Sequence, residues 1–249
     1  MRKRRSRKWI GLLLLVTVIV ALTGCAPDPS HFKPVDPENS FWDRFFVYPL
    51  SIALDAFNDL IGSYGLSILI VTVIIRLLLL PLTIKQMKSS KAMQALQPEL
   101  KKLQEKYKNN QQKLQEETMK LFQKHNVNPM SGCLPLMIQL PVLIAFYQAI
   151  MRNEHIAQSD FLWMQLGQAD PWLVLPILAA LTTYLQSVAT GMGNNPQTRV
   201  FLFVMPVMIF VLAYQFPAAL SLYWVYSNLF SMVQYYFLGD KYRAKKQEG

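Results

Sequence analysis

The sequence predicts an all-α membrane protein. It has five transmembrane helices, a cytoplasmic helical hairpin and an N-terminal interfacial amphipathic helix. Three observations predict this. The 249 residues are 52% hydrophobic, with a mean hydropathy of +0.20, more apolar than an ordinary soluble domain. Apolar runs recur at 62–82, 133–151, 172–190, 200–216 and 218–238, each near the roughly 20 residues a helix needs to cross a bilayer. The segments between the runs alternate in charge.

The N-terminus comes first. Residues 1–8 (MRKRRSRK) hold six basic side chains, and 10–22 is a short apolar stretch ending at Leu22-Thr23-Gly24-Cys25. A basic start, a short apolar core and a small-residue site describe a secretory signal. The tetrapeptide resembles a bacterial lipobox, which implies cleavage after residue 24 and diacylglyceryl modification of Cys25. Residues 25–61 then form a lipid-anchored external segment. An uncleaved signal anchor is the alternative.

The charges set the orientation. Residues 26–61 carry Lys33 and Arg44 against six carboxylates, and 152–171 carry Arg152 against Glu154, Asp160 and Asp170. Residues 83–132 carry ten lysines against four glutamates, and the tail 239–249 carries four basic residues against two acidic ones. Positive segments alternate with negative ones in step with five crossings of the core 62–238. The N-terminus is then outside and the tail inside. The formal charge of +10 therefore reads as cytoplasmic loops and not as a nucleic-acid surface.

Segment 40–60 (SFWDRFFVYPLSIALDAFNDL) interleaves aromatics with acids and reads as a helix in the outer interface, with a bend at Pro49. The hairpin 84–128 is built from good helix formers over 84–107 and 111–125, with a turn at Lys108-Asn109-Asn110. Leu96, Leu100, Leu103 and Tyr107 form one stripe; Leu114, Met119, Leu121 and Phe122 form a rougher one. Pro98 sits either in the first turn of a second helical piece or at a kink in the first. Phe216-Pro217 separates the last two runs as a tight hairpin.

Arg76 lies within the apolar run 65–82 (GLSILIVTVIIRLLLLPL). Its guanidinium stays charged at any relevant pH. A charge at a membrane-helix centre costs about 2.5–3.5 kcal/mol on insertion scales, and such residues face a bundle interior or a wet cavity. Arg76 reads as the wall of such a cavity.

Several function classes are excluded by residue type. The histidines, His31, His125 and His155, all fall in predicted loops, and no apolar run carries Asp or Glu. Neither a nucleophile–base pair nor an aspartyl dyad is available in the spans, and the runs lack metal ligands. The chain reads as no enzyme, with no catalytic residue, metal or cofactor. A polytopic transporter or channel subunit remains the alternative, although no internal repeat of the kind transporters show is present.

Several pieces then resemble one family, the YidC/Oxa/Alb membrane protein insertases. They are Arg76 followed by Leu-Pro-Leu, Gln86 to Ser89, Leu96-Gln97-Pro98-Glu99, and Tyr107-Lys108. The run 128–142 (NPMSGCLPLMIQLPV) is the most specific, and Leu222-Tyr223-Trp224 before Asn228 closes the series. The lipobox and the absence of a large external domain resemble the Gram-positive branch. The resemblance implies a hydrophilic groove open to the cytoplasm and the lipid and closed outside, working without an energy cofactor. By helix position the groove is lined by Arg76, Thr72, Gln139, Gln186, Trp224, Ser227 and Asn228. The implied partners are nascent membrane proteins, a Sec translocon and the lipid bilayer, with the chain a monomer in the bacterial cell membrane. A ribosome is a further partner of some family members, but the short tail here offers it only four basic residues.

Overall fold

The computed structural model describes residues 34–125, 127, 134–194 and 199–239. The signal segment, Cys25, the whole 128–133 loop and the tail from 240 lie outside the described residues. Residues 1–34 and 35–249 form separate units, and the architecture below is that of the second.

A π-helical turn, Asp43–Val47, leads into α1, Tyr48–Ile61. Where the sequence predicts a bend at Pro49, the helix instead runs on through a π-helical turn. Proline has no N–H to return to Phe45, and the chain widens so that the Tyr48 N–H reaches the Asp43 carbonyl. One face of α1 buries Val47, Leu50 and Leu54, while Phe45, Phe46, Ile52 and Leu60 stay exposed. The helix ends at Gly62, in the left-handed conformation (φ 74°) that glycine adopts without strain.

The first apolar run is not one straight helix. α2, Tyr64–Leu78, and α3, Leu80–Ala95, meet at a 63° bend. α3 then breaks at Leu96 before α4, Gln97–Lys106. The two breaks share a cause. Pro81 and Pro98 each stand at the start of the new helix, where the missing N–H is harmless, and neither can donate to the carbonyl four residues back, so the previous helix does not continue through them. Of the two placements open to Pro98, the first turn of a new helix is the one adopted. α5, Gln111–Lys124, returns antiparallel, with Asn110 capping it through a bond from the Lys113 N–H. Leu96, Leu100 and Leu121 form the small core of this hairpin, with Leu103 and Phe122 packed on it. Met119, expected in the stripe, is 49% exposed.

α6, Leu134–Met151, carries Pro141 inside it. A short helix α7, Glu154–Gln158, follows, and then a two-stranded ribbon in which β1, Asp160–Phe161, pairs antiparallel with β2, Met164–Gln165. α8, Val174–Ala189, packs against both α9, Phe201–Gln215, and α10, Ala218–Gly239, whereas α9 and α10 touch little. The chain turns between α9 and α10 at Phe216-Pro217 as expected. Among the described residues no single helix is both long and apolar enough to cross a membrane; only the bent pair α2–α3 meets that test. α8 and α9, at 16 and 15 residues, rise about 22–24 Å against about 30 Å of hydrocarbon. The helices therefore match the runs in position without fixing the number of crossings.

The main core gathers at the end of the bundle that carries the 152–173 loop. Leu54, Ile68, Phe146, Ile150, Leu166 and Tyr223 are among its buried members. Polar side chains brace this end. Arg152 donates to both carboxylate oxygens of Asp43, at 2.6 and 2.7 Å, with both side chains buried. The guanidinium bond holds the Asp43 carboxyl below its usual range. Asp55 accepts from the Tyr64 hydroxyl and the Asn153 amide. Asp170 accepts from the Leu175 N–H at the start of α8 and from the Trp163 indole. The first N–H groups of α10 are met by loop carbonyls, Ala218 to Gln168 and Ala219 to Leu166.

Two outcomes test this bracing. A Cβ at Gly167 would lie 2.4 Å from the Ala157 carbonyl oxygen and 2.7 Å from its Cα. Gly167→Ala is expected to cost about 1–3 kcal/mol, read as a lowered melting temperature in detergent. Asp43→Asn leaves Arg152 buried without its counter-ion and is expected to cost about 3–5 kcal/mol. Because the Asp43 carboxyl titrates lower when folded than when unfolded, the pair stabilises fully above about pH 4. That contribution fades as pH falls below this, through the folded value. Melting temperatures of wild type and Asp43→Asn should therefore converge on acidification from pH 6 to pH 3.

Candidate functional site: a cation held by neutral side chains

Three helices meet at Arg76. α2 delivers it one turn before the bend at Leu79. α6 delivers Gln139 and α10 delivers Ser227. The Arg76 Nη2 donates to Gln139 Oε1 at 3.3 Å and to Ser227 Oγ. Gln139 in turn donates through Nε2 to the Tyr223 hydroxyl at 2.8 Å. Tyr223 is 2% exposed and stacks on Phe146, ring centroids 4.3 Å apart. The aromatic packing fixes the hydroxyl, the hydroxyl fixes the Gln139 amide, and the amide turns its oxygen to the guanidinium.

No carboxylate pairs with Arg76 among the described residues. The guanidinium has five N–H donors, and its bonds here go to neutral oxygens. These solvate the cation without cancelling it. The site thus keeps a net positive charge.

The other residues expected beside Arg76 have different surroundings. Thr72 is buried and its hydroxyl bonds back to the Ile68 carbonyl of its own helix, 2.6 Å away. Its spacing of one turn from Arg76 puts it on the right helix face, but the hydroxyl is already used. Trp224 packs with Ala179, Ile209 and Ala213, on the α8–α9 side. Asn228 donates to Thr182 and Thr183 of α8, at 3.1 and 2.9 Å, and so ties α10 to α8. Gln186 is half-buried and its side chain bonds to nothing among the described residues. The spacing argument missed Tyr223, although it sits one helical turn before Ser227 and so on the same face. No three His, Cys, Asp or Glu side chains gather to hold a metal ion among the described residues.

A helical membrane protein with a charged, polar interior is the class that this fold and site define. Residues 56–246 match the family model of the 60Kd inner membrane protein. The chain is 50% identical over 254 residues to the membrane protein insertase YidC 2 of Bacillus anthracis, covering 98% of each chain. It is 52% identical over 242 residues to the membrane protein insertase MisCA of Bacillus subtilis strain 168, covering 93% of this chain and 92% of that one. Among solved structures, an active YidC insertase with its first transmembrane domain resolved matches with a TM-score of 0.65 at 28% identity, over 80% of this chain. This chain spans about half of that longer one, 47%. The chain belongs to the 60Kd inner membrane protein family, that of the YidC membrane protein insertases.

Tyr223→Phe tests the relay. It removes the acceptor of Gln139 Nε2 and leaves a buried donor unpaired, a cost of about 1–3 kcal/mol. The expected outcome is a lowered melting temperature, with Arg76→Lys in the same background adding little further loss.

Proposed function

We propose that the chain inserts integral membrane proteins and assists their folding, with Arg76 as the charged element of the substrate path. The observation that carries this is a guanidinium inside the bundle bonded only to neutral side chains among the described residues. A polar or acidic tail crossing about 30 Å of hydrocarbon meets a steep solvation barrier. A wet path along part of that distance shortens the barrier, and an unneutralised cation attracts the tail through a medium of low dielectric. The substrate's own apolar segment supplies the drive as it partitions into lipid, aided by the membrane potential where the tail is negative. Gln139 and Ser227 hold the cation in place while leaving its charge available, and the contact with the tail stays reversible.

Residues 1–24 act as a lipoprotein signal and Cys25 carries the lipid. The core crosses the cell membrane five times, with the 152–173 loop outside and the hairpin and tail inside, as the alternating charges favour. Helices shorter than the hydrocarbon are accommodated by local thinning of the bilayer. The exposed aromatics of the π-helical turn and α1 lie in the outer interface. Gln186, Trp224 and Asn228 support the groove from α8 and α10. The chain acts as a monomer, alone or beside a Sec translocon, without a cofactor.

Purified protein in liposomes, offered a small membrane protein with an acidic external tail, tests the reading. Wild type and Arg76→Lys are expected to shield the tail from added protease, while Arg76→Ala falls to the level of empty liposomes. Equal protection by all three would remove Arg76 from the mechanism. No protection by wild type would reject autonomous insertion.

A further inference from the structure

Gln234 on α10 is 7% exposed, and both polar atoms of its side chain, Oε1 and Nε2, lack a hydrogen-bond partner among the described residues. Such a group carries the full desolvation penalty of an amide, and native proteins rarely keep one without a use. Its place on the helix suggests the use. Gln234 stands seven residues beyond Ser227, about 10 Å along the axis and about 20° round from it. Tyr223, Ser227 and Gln234 lie on one face of α10, with Ser231 between them bonding its hydroxyl back to the Ser227 carbonyl of its own helix. This face starts at the Arg76 site, where Tyr223 and Ser227 take part, and runs toward the end of the bundle that carries the hairpin. There α3 crosses: Gln94 donates to the Thr190 carbonyl, the Tyr235 hydroxyl bonds the same carbonyl, and the Lys91 ammonium lies 5.6 Å from the centre of the Tyr235 ring.

We propose that Gln234 is a second polar station of the substrate path, where its side-chain amide pairs with a main-chain amide of the passing polypeptide. The inference rests on the insertase reading above. The chemistry is that of like amides. A glutamine side chain offers one carbonyl acceptor and an NH₂ donor, and an extended peptide unit offers the complementary pair. Every non-proline residue presents the same two groups, so the contact is independent of the substrate's side chains. Arg76 attracts charge, whereas Gln234 satisfies the backbone that every substrate shares.

The test uses the full chain in liposomes. Gln234→Met keeps the size and flexibility and removes both polar groups. The expected result is insertion slowed about five- to tenfold, as two hydrogen bonds are lost, with a melting temperature equal to or above wild type, since an unpaired buried amide is gone. A neutral, non-acidic tail should be slowed as much as an acidic one. In parallel, Gln234→Cys in a Cys133→Ser background, with copper phenanthroline added as the oxidant, should form a disulfide with a stalled substrate bearing a single cysteine. Val233→Cys, at a position 52% exposed on the neighbouring face, should not. Insertion by Gln234→Met at the wild-type rate would overturn the proposal. So would equal cross-linking at 233 and 234, or a melting temperature that falls together with insertion. Failure of wild type itself to insert would instead count against the insertase reading.

Discussion

Arg76 is the constraint on which the bundle depends, because its charge has no counter-ion among the described residues. It is the only charged residue in the five apolar runs. An isolated helix would pay about 2.5–3.5 kcal/mol to carry it. The bundle lowers that cost with dipoles from two other helices, Gln139 on α6 and Ser227 on α10. A carboxylate would have done so more completely and would have cancelled the field. Neutral partners stabilise the cation while preserving its reach, and they must themselves be oriented. Tyr223 does this for Gln139, and Phe146 does it for Tyr223.

The two ends of the bundle solve opposite problems. At the loop end the acidic groups described above are paired, buried Asp43 with Arg152, half-buried Asp55 with Tyr64 and Asn153, and buried Asp170 with the start of α8. Apolar side chains close round them, and the Phe161 ring lies so near Gly65 that a Cβ there would come within 2.2 Å of it. At the hairpin end the helices part. α2 stops at Leu78, α3 leaves at 63°, and the hairpin holds itself together with three buried leucines. Buried contacts and paired charges are thus concentrated at the loop end, and the hairpin end is held by a smaller core.

Much of this was legible in the sequence because membrane spans leave strong signals. The positions of the helices followed from the apolar runs, and Arg76 stood out from charge alone. The relay through Tyr223 was not legible, since a tyrosine in a span has no charge to expose it and its partner is 84 residues away. Thr72 and Asn228 show the converse. Both lie on polar-looking faces, but one bonds to its own backbone and the other ties two helices together. Hydroxyls and amides in a helix have local uses that spacing cannot separate from a shared site. The break at Leu79 was present in the sequence as Pro81, but an apolar run reads as continuous across a proline at its end.

The two prolines at helix starts matter for mechanism because of where they fall. Pro81 follows Arg76 by five residues, so the helix that positions the cation ends just beyond it and the chain turns into α3. A continuous helix would carry the polar path straight into the hairpin and lock their geometries together. The break turns α3 into a new direction, while the position of Arg76 is set by α6 and α10. A redirected hairpin and a fixed charge within the bundle are thus compatible in one chain. The element that separates them is a single missing N–H per break, at Pro81 and again at Pro98.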